Sequence, residues 1–239
     1  MAEREELEII SVGYRLAHWL NLILFSTLLI TGLVLLEIEV LAYIVYPIGA
    51  PIATLLGLDP GTGAVTAGVQ IARMLHRLVG PLWGFIIVVY VAYLLVSGRL
   101  ETLRVLRKPV GQQLREALAI LYHYLLGREI PEDVKKGLDR HNVLAVYITL
   151  LLAIGVVLIG LSGLAIQYLD LTPSQYGLML LLHDIGFYIT IIYLIGHVFA
   201  SFHPSNVILI KAMFGDGRVP LSWAREHMNA YVERVLARR

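Results

Sequence analysis

Four stretches of the chain, at about 14–36, 71–97, 142–168 and 176–202, are each long and apolar enough to cross a hydrocarbon layer about 30 Å thick. Nothing else in the sequence limits the fold so strongly. Inside lipid every backbone N–H and C=O has to find its partner within the protein, so each stretch must be helical. The predicted fold is all-α: an integral membrane four-helix bundle in one domain, 1–239, with 203–239 as a tail. Composition agrees. Charged residues make up 15% of the 239, against about 25% in soluble domains. The leader MAEREELEII is acidic as much as basic, and the apolar run behind it is too long for a cleaved signal peptide and lacks a small-residue cleavage site.

Lysine and arginine set the orientation. The segment 98–140 holds Arg99, Arg104, Arg107, Lys108, Arg115, Arg128, Lys135, Lys136 and Arg140, and the tail holds Lys211, Arg218, Arg225, Arg234, Arg238 and Arg239. The segments 37–70 and 167–183 hold none. Both termini and the middle loop are therefore expected in the cytoplasm, in a chain of the cytoplasmic membrane. The apolar segment 41–58 is interrupted by Pro47, Gly49 and Pro51 and reads as an outer loop or interfacial segment rather than a fifth span. Charges alternate with Leu, Ile and Tyr along 112–126, which predicts an amphipathic helix on the inner surface. A second such helix is expected over 222–239, N-capped by Ser222. No internal repeat is visible.

The eight histidines carry the chemistry. His18, His76, His183 and His197 fall inside the spans, where an ionisable side chain is costly and points to function. His183 and His197 are 14 residues apart, about 21 Å of helical rise on one stripe. With alternating helix directions, His18 pairs with His197 near the inner face and His76 with His183 near the outer. Two bis-imidazole sites stacked in a four-helix bundle suit two b-type haems, which take two axial ligands and no covalent link. Arg15 and Arg73 each stand three residues before a histidine of the first two spans, sharing its face. They read either as bidentate partners for haem propionates or as snorkelling anchors. Gly32, Gly80, Gly84, Gly155, Gly160, Gly163, Gly186 and Gly196 would allow close approach of helices or a porphyrin. His123 and His227 read as surface residues. His141 and His203 lie at the inner membrane edge, and His141 is an alternative inner ligand. Trp19 and Trp83 suit the interfacial aromatic belt.

In their order, Arg15-Leu-Ala-His18-Trp19, Arg73-Met-Leu-His76 with Gly80, Leu-Leu-His183 and His197 resemble the membrane cytochrome b (gamma) subunit of formate dehydrogenases. The b-type cytochromes of nickel–iron hydrogenases and thiosulfate reductases are similar. The ending Gly217-Arg-Val-Pro-Leu-Ser-Trp223-Ala-Arg-Glu-His227 resembles that family's tail, and the likeness runs from Arg15 to about Val232. It implies a four-helix, two-haem subunit that takes electrons from an outer iron–sulfur subunit and passes them to a quinone, menaquinone or ubiquinone, at the inner side. It assigns His76 and His183 to the outer haem, and His18 and His197 to the inner. It also places Asn142 at the quinone pocket, where a helix-terminal role is the alternative. Val143-Leu-Ala145 replaces a polar residue of the family, and His227-Met228 a doubled histidine. His203, His141 or Asp139 would relay protons to the quinone.

With zero cysteines, this chain ligates no iron–sulfur cluster and forms no thiolate zinc site or thioether-linked haem c. A separate catalytic subunit is therefore expected. A net charge of +1 gives no support to nucleic-acid binding. The competing readings are a quinol-oxidising subunit feeding an outer reductase, a haem-free membrane anchor and a transporter. No inverted repeat supports a transporter, and a bare anchor leaves the paired histidines unexplained.

Overall fold

A computed structural model describes residues 5–36, 42–59, 61–96 and 100–237. Ser97, the end of the second predicted span, and the cations Arg99, Arg238 and Arg239 lie outside the described residues. In chain order the elements begin with strand β1 (Glu6–Glu8), α1 (Val12–Leu36), α2 (Ala42–Leu55) and α3 (Thr62–Val96). A 3-10 turn (Leu100–Arg107), α4 (Val110–Leu126), α5 (Glu132–Lys136), α6 (Val143–Tyr168) and α7 (Pro173–Phe202) follow. The chain closes with α8 (Val207–Phe214), β2 (Arg218–Pro220), α9 (Leu221–His227) and α10 (Asn229–Leu236). Helices α1, α3, α6 and α7 are long and apolar enough to cross a membrane, so the four-span bundle is the observed architecture.

The bundle consists of two helical hairpins. Helix α1 packs on α3 and α6 on α7, while direct backbone approach between the hairpins is largely confined to α3 with α6. The α6–α7 crossing is tight because both helices present glycine there. A Cβ on Gly186 would lie 2.8 Å from the Gly155 carbonyl oxygen, so neither position tolerates a side chain at this spacing.

The structure departs from the sequence reading at several helix ends. Segment 41–58 contains a regular helix, α2, that continues through Pro47 and Pro51. Two prolines forfeit two hydrogen bonds, but α2 is laid along the start of α3. Val45, Ala53 and Ala64 are fully buried there, and Gly49 and Gly68 let the two backbones touch. Packing outweighs the prolines. Helix α3 begins at Thr62, nine residues before the predicted start. Asp59 accepts from the Gly61 N–H and the Thr62 hydroxyl at the turn into the helix, and these bonds hold its carboxyl below the usual range, the Thr62 hydroxyl foremost. At 35 residues and 1.5 Å per residue α3 is about 52 Å long, well beyond the lipid core. Helix α7 also begins early, because Thr172 and Gln175 form a reciprocal capping box with Pro173 at the first helical position.

The all-α expectation needs one amendment. Strands β1 and β2 pair antiparallel, with Leu7 opposite Val219, and both side chains are buried with Ile9, Ile10, Ala212, Ala224, Met228 and Val232. The two ends of the chain thus share one small core. Gly217, at φ +85°, turns the chain into β2 with its amide plane against Ile10, whose carbonyl a Cβ would strike. The tail helix is also not continuous. It starts at Leu221 directly after Pro220, so Ser222 caps nothing, and it breaks at Met228, whose burial holds a non-helical backbone.

The predicted inner-surface helix is present as α4. Its polar side faces the protein. Glu116 is 4% exposed while Leu114 is 52% exposed. Glu116 accepts from the Val143 N–H at the start of α6 and pairs with Lys108 at 2.5 Å, and Gln113 accepts from the Tyr147 hydroxyl. Outward leucines on a helix anchored by polar contacts suit the membrane boundary. Ala230 N–H donates to the Leu138 carbonyl, joining the tail to the middle loop. Both termini and that loop therefore lie at one end of the bundle.

Two histidine pairs and the candidate cofactor site

Helix α7 is unbroken from Pro173 to Phe202, so it carries His183 and His197 about 21 Å apart along its axis. His183 meets His76 of α3, with ring centres 6.1 Å apart, and His197 meets His18 of α1 at 6.3 Å. Both pairs reach across the seam between the hairpins. An imidazole nitrogen bonds a first-row metal at about 2 Å, so the ring centres of two imidazoles that shared one metal would lie no more than roughly 6 Å apart. The spacing fits one metal held between each pair.

Polar atoms at the pairs point the same way. Among the described residues, the buried side-chain nitrogens and oxygens with no hydrogen-bond partner are Arg15 Nε and His18 Nδ1. One is a ring nitrogen of the His18–His197 pair and the other stands three residues before His18 on the same helix, and a buried donor without an acceptor is costly. The residues fit a group that brings its own acceptors and metal. His18 is also edge-on to Trp19, whose indole packs on Phe214, and His197 is stacked on Tyr193 at 5.6 Å.

At the outer pair each ring is held from behind. His76 Nδ1 lies 3.0 Å from the Thr31 hydroxyl, and His183 Nδ1 lies 3.1 Å from both the Ser162 hydroxyl and the Ile159 carbonyl. A glycine follows each hydroxyl residue, and a Cβ on Gly32 or Gly163 would lie 3.3 or 3.1 Å from the ring's Cε1. The same hydroxyl–glycine cradle thus occurs in both hairpins, on α1 and on α6. The sequence reading found no repeat and passed over Thr31 and Ser162. Membrane helices use serine and threonine widely, and only the fold shows which ones face a histidine. Of the other glycines, Gly155 and Gly186 form a helix crossing, whereas a Cβ on Gly84, Gly160 or Gly196 would point into open space.

The remaining predicted residues are spread around these pairs. Arg73 is exposed and borders a groove of about 300 Å³ with Gln70, Met74, Arg77 and Leu78. Asn142 is the N-cap of α6, its Oδ1 accepting from the Ala145 N–H at 2.8 Å. His203 ends α7 and packs on His123 and Tyr124 of α4 at 5.2 and 4.9 Å. Burial, then the neighbouring His123, lowers the His203 pKa. His123 is therefore no isolated surface residue, since it also bonds Ser205 and the Arg128 carbonyl. His141 is half-buried, and burial followed by the adjacent Arg140 lowers its pKa to about 4. The Asp139 carboxylate is engaged by Arg234 at 2.5 Å. His227 is stacked on Trp223 at 4.5 Å.

The family model for prokaryotic cytochrome b561 matches residues 9–216 of the chain. The chain belongs to the prokaryotic cytochrome b561 family. No curated protein matches it. A cytochrome b561 of this family is an integral membrane cytochrome b that binds haem b and transfers electrons. The matched region contains all four span histidines, both cradles, Arg15 and Arg73, and ends before Trp223 and His227.

Proposed function

We propose that this cytochrome b561 is the di-haem membrane subunit of a respiratory oxidoreductase complex of the formate dehydrogenase gamma or nickel–iron hydrogenase type, in the cytoplasmic membrane. It carries electrons between an outer iron–sulfur subunit, fed by a separate catalytic subunit, and the quinone pool at the inner side. The observation that carries this reading is the pair of histidine pairs, at 6.1 and 6.3 Å, one toward each end of the bundle. His76 and His183 would hold the outer haem, and His18 and His197 the inner one. Bound there, haem b supplies a one-electron ferric–ferrous couple. The protein holds the imidazoles in facing pairs, excludes water with apolar helices, and offers Arg15 and Arg73 to the propionates. Asn142 and His203 are the residues assigned to the inner quinone site, with menaquinone or ubiquinone as its substrate. His203, outside the spans, has a lowered pKa that keeps it neutral near pH 7 and so able to accept or hand on a proton.

The test is a reduced-minus-oxidised optical spectrum with a pyridine haemochrome count. Two b haems per chain are expected, and none would remove the reading. The variant His76→Ala is expected to keep one haem, and retention of both would break the assignment of His76.

A further inference from the structure

We infer that Thr31 and Ser162 are positioning residues that make the outer site the weaker electron acceptor of the two. This rests on the two-haem reading above. Each hydroxyl has a single proton and directs it along its own helix: Thr31 Oγ1 donates to the Thr27 carbonyl at 2.7 Å, and Ser162 Oγ to the Leu158 carbonyl at 2.5 Å. Only lone pairs remain on the two oxygens, and a histidine Nδ1 faces each of them at 3.0 and 3.1 Å. The imidazole is therefore the donor. At His183 the Ile159 carbonyl, which can only accept, demands the same. Both outer rings are fixed as Nδ1–H tautomers with the Nε2 lone pair left for a metal.

An acceptor on the distal N–H raises the basicity of the ligating nitrogen. A more electron-rich axial ligand favours the oxidised iron and lowers its potential, since ligand hydrogen bonding is one of the protein's levers on a haem. The inner pair lacks this support. No hydrogen bond links the side chain of His18 or His197 to a described residue, and His18 Nδ1 is buried without a partner. The arginines do not reverse the order, because Arg73, beside the outer pair, is exposed, whereas Arg15 Nε, three residues before His18, is buried, and a less solvated positive charge favours reduction of the nearer site. Gly32 and Gly163 complete the device, since a side chain at either would press on the ring that the neighbouring hydroxyl holds. With both groups bound, one electron would pass from the outer site, oxidising it, to the inner site, reducing it, with no atom transferred. A reduced iron–sulfur centre outside would supply the electrons, and two of them, with two protons taken up at the inner side, would reduce one quinone to the quinol.

The experiment is a potentiometric titration of the full-length haem-loaded protein, read in the optical b bands. The outer wave is the one that His76→Ala removes, and in the unsubstituted protein it is expected at the lower potential. Thr31→Val and Ser162→Ala should each keep both haems and raise the outer wave, Thr31→Val by about tenfold in the ferric–ferrous ratio or about 59 mV for one electron, and Ser162→Ala by less, because the Ile159 carbonyl still accepts from His183 Nδ1. The inner wave should stay in place, and Thr31→Ser, which keeps the hydroxyl, should behave as the parent. An outer wave unmoved in both variants, an equal shift of both waves, or an outer wave above the inner in the parent would overturn the inference. Fewer than two b haems in the parent would instead bring down the reading beneath it.

Discussion

Asn142 shows how one side chain can serve two readings and how they separate. Its Oδ1 caps α6, so Asn142→Ala should cost about 1 kcal/mol of stability. Asn142→Ser keeps a capping oxygen but removes the amide. If the amide also meets quinone, Asn142→Ser should lower quinone turnover while the melting temperature stays near the parent's; unchanged turnover would leave Asn142 a cap alone. His141 provides a pH test. Burial lowers its pKa from 6.5 to about 4, so the unfolded chain binds a proton between those values that the folded one refuses. The His141 contribution to stability is therefore complete above pH 6.5 and declines as pH falls toward 4. Melting curves of the parent and His141→Gln should converge over that window. At this scale the facing of His18 with His197 and of His76 with His183 was legible, because an ionisable side chain at membrane depth stands out in any sequence. Thr31, Ser162 and Tyr193 were not, because their meaning lies in what they face across a helix pair.

Among the elements, α4 reverses the pattern of a surface helix, with glutamate and glutamine inward and leucines outward. Its hold on α6 is Glu116, which bonds the Val143 N–H and Lys108 together. Glu116→Ala leaves a buried N–H unsatisfied and Lys108 without its carboxylate, at a cost of about 1–3 kcal/mol. The expected sign is a lower thermal midpoint in detergent with the haem spectrum retained below it. The four spans were legible because hydropathy alone demands helices in lipid. Their ends were less so. Proline signalled a stop at α2, where glycine-lined packing on α3 overrides it, and Ser222 signalled a cap where a strand pairing fixes the entry instead. The capping box Thr172–Gln175 was readable in the sequence and would have placed the start of α7 correctly.

For the molecule as a whole, the shared core of β1 and β2 and the bond from Ala230 to Leu138 put both termini and the middle loop on one side. Zero cysteines make this simple to check. Single cysteines placed at Gln112 and at Arg225 should react with an impermeant maleimide only after the cytoplasmic side is opened, and one at Gly57 should react in intact cells. The reverse pattern would invert the topology. The charge count put both termini and the middle loop on one common side, as the structure does, whereas the terminal core was invisible to it, since three-residue strands leave almost no pattern. Direct backbone approach between the hairpins is largely confined to α3 with α6, so in the two-haem reading each group held by a histidine pair would also fasten one hairpin to the other. A cell short of porphyrin would make chains whose halves lean together without a rivet. Such chains would be the first that a membrane protease pulls apart, and pigment supply would then set how many finished copies the membrane keeps.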